Sequence, residues 1–458
     1  MEIRNLRVAV HNLGCKVNFY EAEAMLRELR DAGAAVVDWE EPADVYIINT
    51  CSVTNIADRK SRQMLHRVRA KNPAAVVVAA GCYVQAREEE LKGDATVDIL
   101  IGNNRKSALV SILRNYRRED CAAARSFVPD LRSECAFERM EGGERSGRVR
   151  AFLKVQDGCN QFCSYCIIPY VRGRIRSRSM EDTMREARKL AAEGCREMVL
   201  TGIHLSSYGL DLERQSYEHA VRSAFPSERL LMLIRAVAAV PGVERVRLGS
   251  LEPRIITQDF VMALREIPAL CPHFHLSLQS GSDRTLRAMN RHYDTAAFRE
   301  SAHILRESFP EAALTTDVIV GFPGETDEDF KNSYDFIREM DFYELHVFKY
   351  SERKGTAAEQ LPGQLTEAVK AARSQQLLEL EQECSERFRT RFLHREEKIL
   401  LEELLTEEGR AYLTGLNRQY VRFRIPAECF PDASGQIGEI IRASGRKICK
   451  TYVLAKPV

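Results

Sequence analysis

Over the first hundred residues, apolar runs ending near a cysteine alternate with amphipathic stretches: RVAVHNLGC, YEAEAMLRELRDAG, ADVYIINTC, IADRKSRQMLHRVRAKN and AAVVVAAGC. Short continuous apolar runs mark strands buried on both faces, and the stretches between them repeat at helical spacing. Residues 1–117 therefore predict an open parallel α/β sheet with crossover helices. The pattern lapses over 118–148, a charged segment with Gly-Gly and little periodicity, expected to be an inter-domain linker. It resumes over 149–362, where AFLKVQ, EMVLTG, ERVRLGS, HFHLSLQ, LTTDVIVGF and ELHVFKY are separated by helical segments. Six such units predict a partial (β/α)6 barrel with its site at the strand ends. A long charged connecting helix is expected over 363–394, and short strands parted by Gly and Asn turns over 395–458 predict a small β-barrel. The fold class is α/β: an open sheet, a partial barrel and a C-terminal β-barrel. Residues 211–228 read as an insertion with no assigned role.

Charge alters this picture little. Lys and Arg number 67 against 66 Asp and Glu, so no global field points to a polyanion, and a nucleic acid would need a local patch. The stretch MEIRNLRVAVHNLGC lacks the apolar core of a signal peptide, and LLMLIRAVAAV is short and broken by Arg235. A soluble, cytoplasmic protein with no membrane partner is expected. The 13 cysteines matter more: an odd count without a secretion signal argues for reduced thiols, some bound to metal. Cys15, Cys51 and Cys82 each fall at or just past the carboxyl end of an expected strand, the edge where open α/β sheets bind ligands. Three thiols remote in sequence would thus meet at one rim, the alternative being buried structural cysteine. Cys121, Cys135, Cys195, Cys271, Cys384, Cys429 and Cys449 lack ligand spacing and are read as plain thiols, and His11 as a structural histidine.

The densest signal is GCNQFCSYCIIPYVRGRIRSR, which places Cys159, Cys163 and Cys166 in a CxxxCxxC pattern. Structural zinc takes four ligands, usually from paired CxxC hooks. Three thiolates instead suit a cubane iron-sulfur cluster with one iron left open to a small chelating molecule. With Tyr165 before the last cysteine, the motif resembles the signature of radical S-adenosylmethionine enzymes. Together with NLGCKVNFYEAE, NTCSVTNIADRKSRQ and AAGCYVQ, it is similar to the methylthiotransferases of that superfamily, and GCKVN looks most like the branch acting on threonylcarbamoyladenosine in tRNA. The resemblance implies two [4Fe-4S] clusters, one on Cys159, Cys163 and Cys166 that binds S-adenosylmethionine and generates a 5'-deoxyadenosyl radical. The other, on Cys15, Cys51 and Cys82, would carry the sulfur to be inserted. It also implies a tRNA substrate, an electron donor such as a flavodoxin or ferredoxin, and a TRAM-like RNA-binding domain at the C-terminus. The same chemistry on isopentenyl-adenosine or a ribosomal-protein side chain is the nearest alternative, and a non-catalytic iron-sulfur RNA-binding protein the more distant one.

LGSLEP, LQSGSD and VIVGFPGET lie at expected barrel strand ends. By resemblance, Ser250, Glu252, Gln279 and Ser280 are candidates for cofactor ribose or methionine contacts, and Gly321 and Gly324 for close backbone approach to adenine. Ser206 and Ser207 stand where the family more often has glycine, a departure in that loop. Arg172, Arg174, Arg176 and Arg178 alternate, so an extended chain would aim four guanidiniums to one side, suited to RNA phosphates or, alternatively, to a solvated edge of ion pairs. Arg418, Arg422 and Arg424, interleaved with Tyr420 and Phe423, offer a second candidate RNA-binding strand or an ordinary barrel strand.

Overall fold

The computed structural model describes residues 1–117, 124–133, 136–142, 149–212 and 227–458; Cys121, Cys135 and most of the 211–228 insertion lie outside the described residues. Six parallel strands form the first sheet: β1 (Arg7–Asn12), β2 (Ala35–Val36), β3 (Val45–Thr50), β4 (Val76–Gly81), β5 (Ile99–Ile101) and β6 (Arg125–Phe127), in the order β2-β1-β3-β4-β5-β6. VYIINT and VVVAAG are buried at every position, as central strands covered on both faces must be. Between them run α1 (Lys16–Asp31), which buries Val17, Tyr20, Ala24, Met25 and Leu29 along one stripe, and α2 (Asn55–Lys71), capped by the Thr54 side chain. β6 comes from the segment expected as a linker: Arg125, Ser126 and Phe127 pair with Ile99, Leu100 and Ile101. Its sequence, RSF, carries no apolar run, so the open edge of β5 rather than local pattern makes it a strand.

The chain then enters the partial barrel through β7 (Arg150–Lys154), followed by β8 (Gln156–Asp157) and β9 (Arg176–Ser177), which pair antiparallel with each other. β10 (Glu197–Thr201) and β11 (Arg245–Leu248) continue beside β7, while β12 (His273–His275), β13 (Ala313–Val320) and β14 (Glu344–Lys349) form a second parallel set. Parallel bridges Val246–Leu270 and Leu251–Leu276 join the two sets, giving the six-stranded open barrel that the pattern predicts. Its main apolar core among the described residues runs from Leu153 and Leu200 to Val246, Phe274 and Leu314, with a smaller cluster of Met289, Phe322, Tyr350 and Ala358 beside it.

The helix Glu367–Thr390 leads to a closed barrel of β15 (Glu396–Glu407), β16 (Arg410–Leu416), β17 (Arg422–Pro426), β18 (Ile440–Ile448) and β19 (Val453–Pro457). Its core of Ile399, Leu413, Phe423 and Val453 continues into Tyr343, Phe388 and Phe392. Arginines at the amino ends of the central strands bolt this barrel on. Arg245 donates to the carbonyls of Leu416 at 2.9 Å and Lys398 at 2.7 Å, and Arg150 to the Tyr420 hydroxyl at 3.0 Å. No helix among the described residues is long and apolar enough to cross a membrane.

Candidate active site

Cys15 caps α1 just past β1, Cys51 follows β3 directly, and Cys82 follows β4 as the first residue of α3 (Cys82–Ala86). Because β1, β3 and β4 are adjacent and parallel, the three turns lie side by side at one sheet edge. Gly14 lets two of them touch: at φ +114°, a Cβ there would lie 2.9 Å from Cys51 Cβ and 3.0 Å from its Sγ. Asn18, buried on the first turn of α1, ties the rim together by donating to the carbonyls of Leu13 at 2.8 Å and Thr50 at 2.9 Å. Asn103 donates to Cys82 Sγ at 3.4 Å. Burial, then the Cys82 and Cys15 thiols, push the Cys51 thiol up to about 12, so thiolates here need a cation to balance them.

The second triad is local. The β8–β9 pair closes a loop whose ends press together at Gly158, where φ is +71° and a Cβ would lie 1.9 Å from the Arg174 carbonyl oxygen. From that base the loop presents Cys159 and Cys163, both buried, and Cys166, which is half-buried. Cys163 Sγ accepts from Arg291 Nη1 at 3.2 Å, and Cys159 Sγ from the Gln161 backbone N–H at 3.5 Å. Donors of this kind steady and tune thiolates that hold iron. Burial and the Cys163 thiol push Cys166 up to about 12. Among the described residues, one set of three donor atoms lies within 4.8 Å of one another, that of His275, Asp317 and His346, and neither cysteine triad does so. Zn–S bonds of about 2.3 Å would draw tetrahedral sulfurs to within roughly 4 Å. Each triad offers three thiols, the donor set that a cluster with one open iron takes.

The four arginines expected as one outward row do not form one. Only Arg176–Ser177 is extended, and the chain turns at Gly173, so alternation does not hold. Arg172 is fully buried: its guanidinium donates to Glu21 at 2.9 Å, to Asp157 at 3.0 Å and to Asn18. Lys154 reaches Glu21 at 2.7 Å and Asp157 at 2.6 Å, and Lys106 also pairs with Glu21. These cations hold Glu21 and Asp157 well below the usual carboxylate range despite complete burial. Arg176 donates to the Arg172 carbonyl at 2.8 Å, and Arg178 pairs with Glu186. Arg174 alone faces solvent, 4.6 Å above the Phe162 ring. The second row divides likewise. Arg418 donates to the carbonyls of Pro268 and Leu270 at 2.5 Å each, Arg424 pairs with Glu407, and Tyr420 lies 4.7 Å from the Arg247 guanidinium; Arg422 remains exposed. Five of the seven are thus taken up by protein partners, and Arg172, Arg178 and Arg418 among them reach across to another domain.

A cavity of about 180 Å³ opens beside Cys166, walled also by Val53 and Thr54 just past Cys51 and by Gln279, Asp317 and Phe348 from the barrel. Of the expected cofactor contacts, Gln279 lines it. Glu252 is buried; burial pushes its carboxyl up, but His204 at 2.9 Å and Arg254 hold it down at about 2. Ser280 is buried and accepts from the Ser282 backbone N–H at 3.2 Å, whereas Ser250 is exposed. A Cβ at Gly321 would meet Lys370 Cγ at 2.4 Å, so helix packing accounts for that glycine, and Gly324 sits in a turn with its N–H on the Gly363 carbonyl at 2.9 Å. Ser206 and Ser207 are buried, and Ser206 accepts from the Glu252 backbone N–H at 2.9 Å. Sequence reasoning missed Arg291, Asp317, His346 and Arg353. Arg353 crosses between domains, donating to Ser52 at 2.8 Å and Asp58 at 2.6 Å. None belongs to a spaced motif; each is recruited from a remote strand or loop.

Residues 153–337 match the Radical SAM superfamily, and residues 7–102 match the uncharacterized protein family UPF0004. The chain is 36% identical to the threonylcarbamoyladenosine tRNA methylthiotransferase MtaB of Bacillus subtilis, covering 95% of this chain and 92% of that one. It is 37% identical to the protein of the same name in Aquifex aeolicus, over 88% and 95% of the two chains. It is 34% identical to the tRNA-2-methylthio-N(6)-dimethylallyladenosine synthase of Clostridium tetani, over 86% and 84%. Among solved structures, the radical S-adenosylmethionine methyltransferase TsrM of Kitasatospora setae, with cobalamin and a [4Fe-4S] cluster bound, shares the fold at a TM-score of 0.54 and 16% identity over 75% of each chain. With two relatives of one name matching nearly end to end, the chain belongs to the radical S-adenosylmethionine methylthiotransferase family.

Proposed function

We propose that the chain converts threonylcarbamoyladenosine beside the tRNA anticodon to its 2-methylthio derivative, using one [4Fe-4S] cluster on Cys159, Cys163 and Cys166 and another on Cys15, Cys51 and Cys82. The observation that carries this is the shared cavity, since one wall is Cys166 and another is the loop that follows Cys51. A base held there would lie between Cys166 and the loop that follows Cys51, the juxtaposition that sulfur insertion at a C–H bond needs. Bound at Cys159, Cys163 and Cys166, the cluster and S-adenosylmethionine would supply the radical that removes the hydrogen. The chain's own residues do the rest of the placing: Arg291 orients Cys163, Gln279 and Phe348 wall the base, and Arg353 holds the Cys51 loop against the barrel. The relatives' names divide between threonylcarbamoyl and dimethylallyl substrates. The cavity wall supports the former, because Asp317 there offers a polar acceptor that an apolar substituent would desolvate. Arg174 and Arg422, the solvent-facing members of the two rows, are proposed to meet RNA phosphates, and a flavodoxin or ferredoxin to deliver the electron. Nucleoside analysis of tRNA from a deletion strain tests the reading. Threonylcarbamoyladenosine should accumulate and its methylthio derivative vanish, and loss of a methylthiolated isopentenyl-adenosine instead would assign the other substrate.

A further inference from the structure

Strand alternation brings three ligand-type side chains together outside both cysteine triads. On β13, Thr315, Asp317 and Ile319 share one face, and on β14 His346 and Phe348 do. The register sets His275 of β12 opposite Thr315, His346 opposite Asp317, and Phe348 opposite Ile319. Ile319 and Phe348 line the cavity together with Asp317, so this is the face turned toward it. One donor atom from each of His275, Asp317 and His346 lies within 4.8 Å of the others. His275 Nε2 is 3.3 Å from Asp317 Oδ2, longer than the roughly 2.7–2.9 Å of a charge-assisted hydrogen bond. The spacing is that of two ligands on one ion, since bonds of about 2.1 Å set neighbouring donors roughly 3.0–3.4 Å apart. His275 Nδ1 lies 2.9 Å from Thr315 Oγ1. A hydrogen bond from the far ring nitrogen is what orients a metal-binding imidazole, and with Nδ1–H donating to Thr315 the Nε2 lone pair is aimed at the Asp317 carboxylate. Two acceptors face to face are stabilised by a cation between them. His346 stacks on His275, with centroids 5.6 Å apart and planes at 23°, and among the described residues it has no hydrogen-bond partner.

We propose that His275, Asp317 and His346 form a mononuclear site for a divalent transition-metal ion, distinct from both iron-sulfur clusters. Two imidazoles and one carboxylate are the donor set of zinc and non-haem iron sites that keep coordination positions open. Because Asp317 is shared with the cavity wall, those positions are within reach of water or of an oxygen ligand held in the cavity. The ion binds and orients that ligand and exchanges no electron with it.

The test uses the full-length enzyme with its cysteine triads loaded, dialysed anaerobically against micromolar zinc and then examined by elemental analysis and zinc-edge X-ray absorption. One zinc per chain should be taken up with no loss of iron, and its shell should show nitrogen and oxygen at about 2.0–2.1 Å without sulfur at about 2.3 Å. His346→Leu, at an exposed position, and the isosteric Asp317→Asn should each weaken zinc binding at least about tenfold while keeping the iron content and circular dichroism of the parent. Failure of the unaltered enzyme to take up zinc would reduce the group to an ordinary imidazole–carboxylate contact and overturn the site. Sulfur in the zinc shell would place the ion on a cysteine triad and overturn it equally. Parental zinc affinity in either variant would strike that side chain from the ligand set, and the three-residue site with it.

Discussion

Arg172 shows how a single side chain can join two sites. Through Asn18 it reaches the Cys15–Cys51 rim, and through Asp157, which accepts the Gly158 N–H at 2.8 Å, it reaches the base of the other cysteine loop. Removing one partner of a buried charge network leaves the others uncompensated, at a cost of about 3–5 kcal/mol. Arg172→Ala should therefore lower the thermal midpoint, on the order of 10 °C by circular dichroism, with no compensating gain in RNA affinity. A midpoint within about 2 °C of the parent would mean the network is not holding the domains together. The six candidate cysteine ligands were legible because each stands in a short, spaced motif or just past an apolar run. The role of Arg172 was not, because Glu21 lies 151 positions away in sequence and nothing local distinguishes a buried guanidinium from an exposed one.

At the scale of elements, strands with a strong apolar signal came through as expected, and short polar ones did not. β6 exists because β5 offers an open edge, and the Arg172–Arg178 segment fails to be a strand because only two residues pair. The insertion at 211–228 falls largely outside the described residues. The cysteine loop depends on backbone more than on side chains. Gly158→Ala would put a methyl group 1.9 Å from the Arg174 carbonyl, so the loop ends must part and the three thiols lose their common base. The expected outcome of anaerobic reconstitution is loss of the iron held by that loop, with the iron on the other triad retained. Full iron content in the variant would show that the loop accommodates the added carbon.

At the scale of the molecule, the cavity lies between the first sheet and the partial barrel, and three of the arginines that resemble an RNA-binding patch, Arg172, Arg178 and Arg418, fasten one domain to another. Arg418 binds barrel carbonyls, and Arg150 and Arg247 flank the Tyr420 ring. An alternating basic-aromatic strand reads the same whether it faces RNA or another domain, which is why sequence could not separate the two. Arg174→Ala and Arg422→Ala should each weaken tRNA binding and make its salt dependence shallower by roughly one counterion, while Arg418→Ala should act on thermal stability. An unchanged salt slope in both exposed variants would place the phosphate contacts elsewhere. The central claim, that two separate cysteine triads serve one cavity with two clusters, is tested most directly by counting iron and sulfide after anaerobic reconstitution. About eight irons per chain are predicted, falling to about four in the Cys159, Cys163, Cys166→Ala variant and also to about four in the Cys15, Cys51, Cys82→Ala variant. Four irons in the unaltered protein, or loss of all iron on removing either triad, would contradict it.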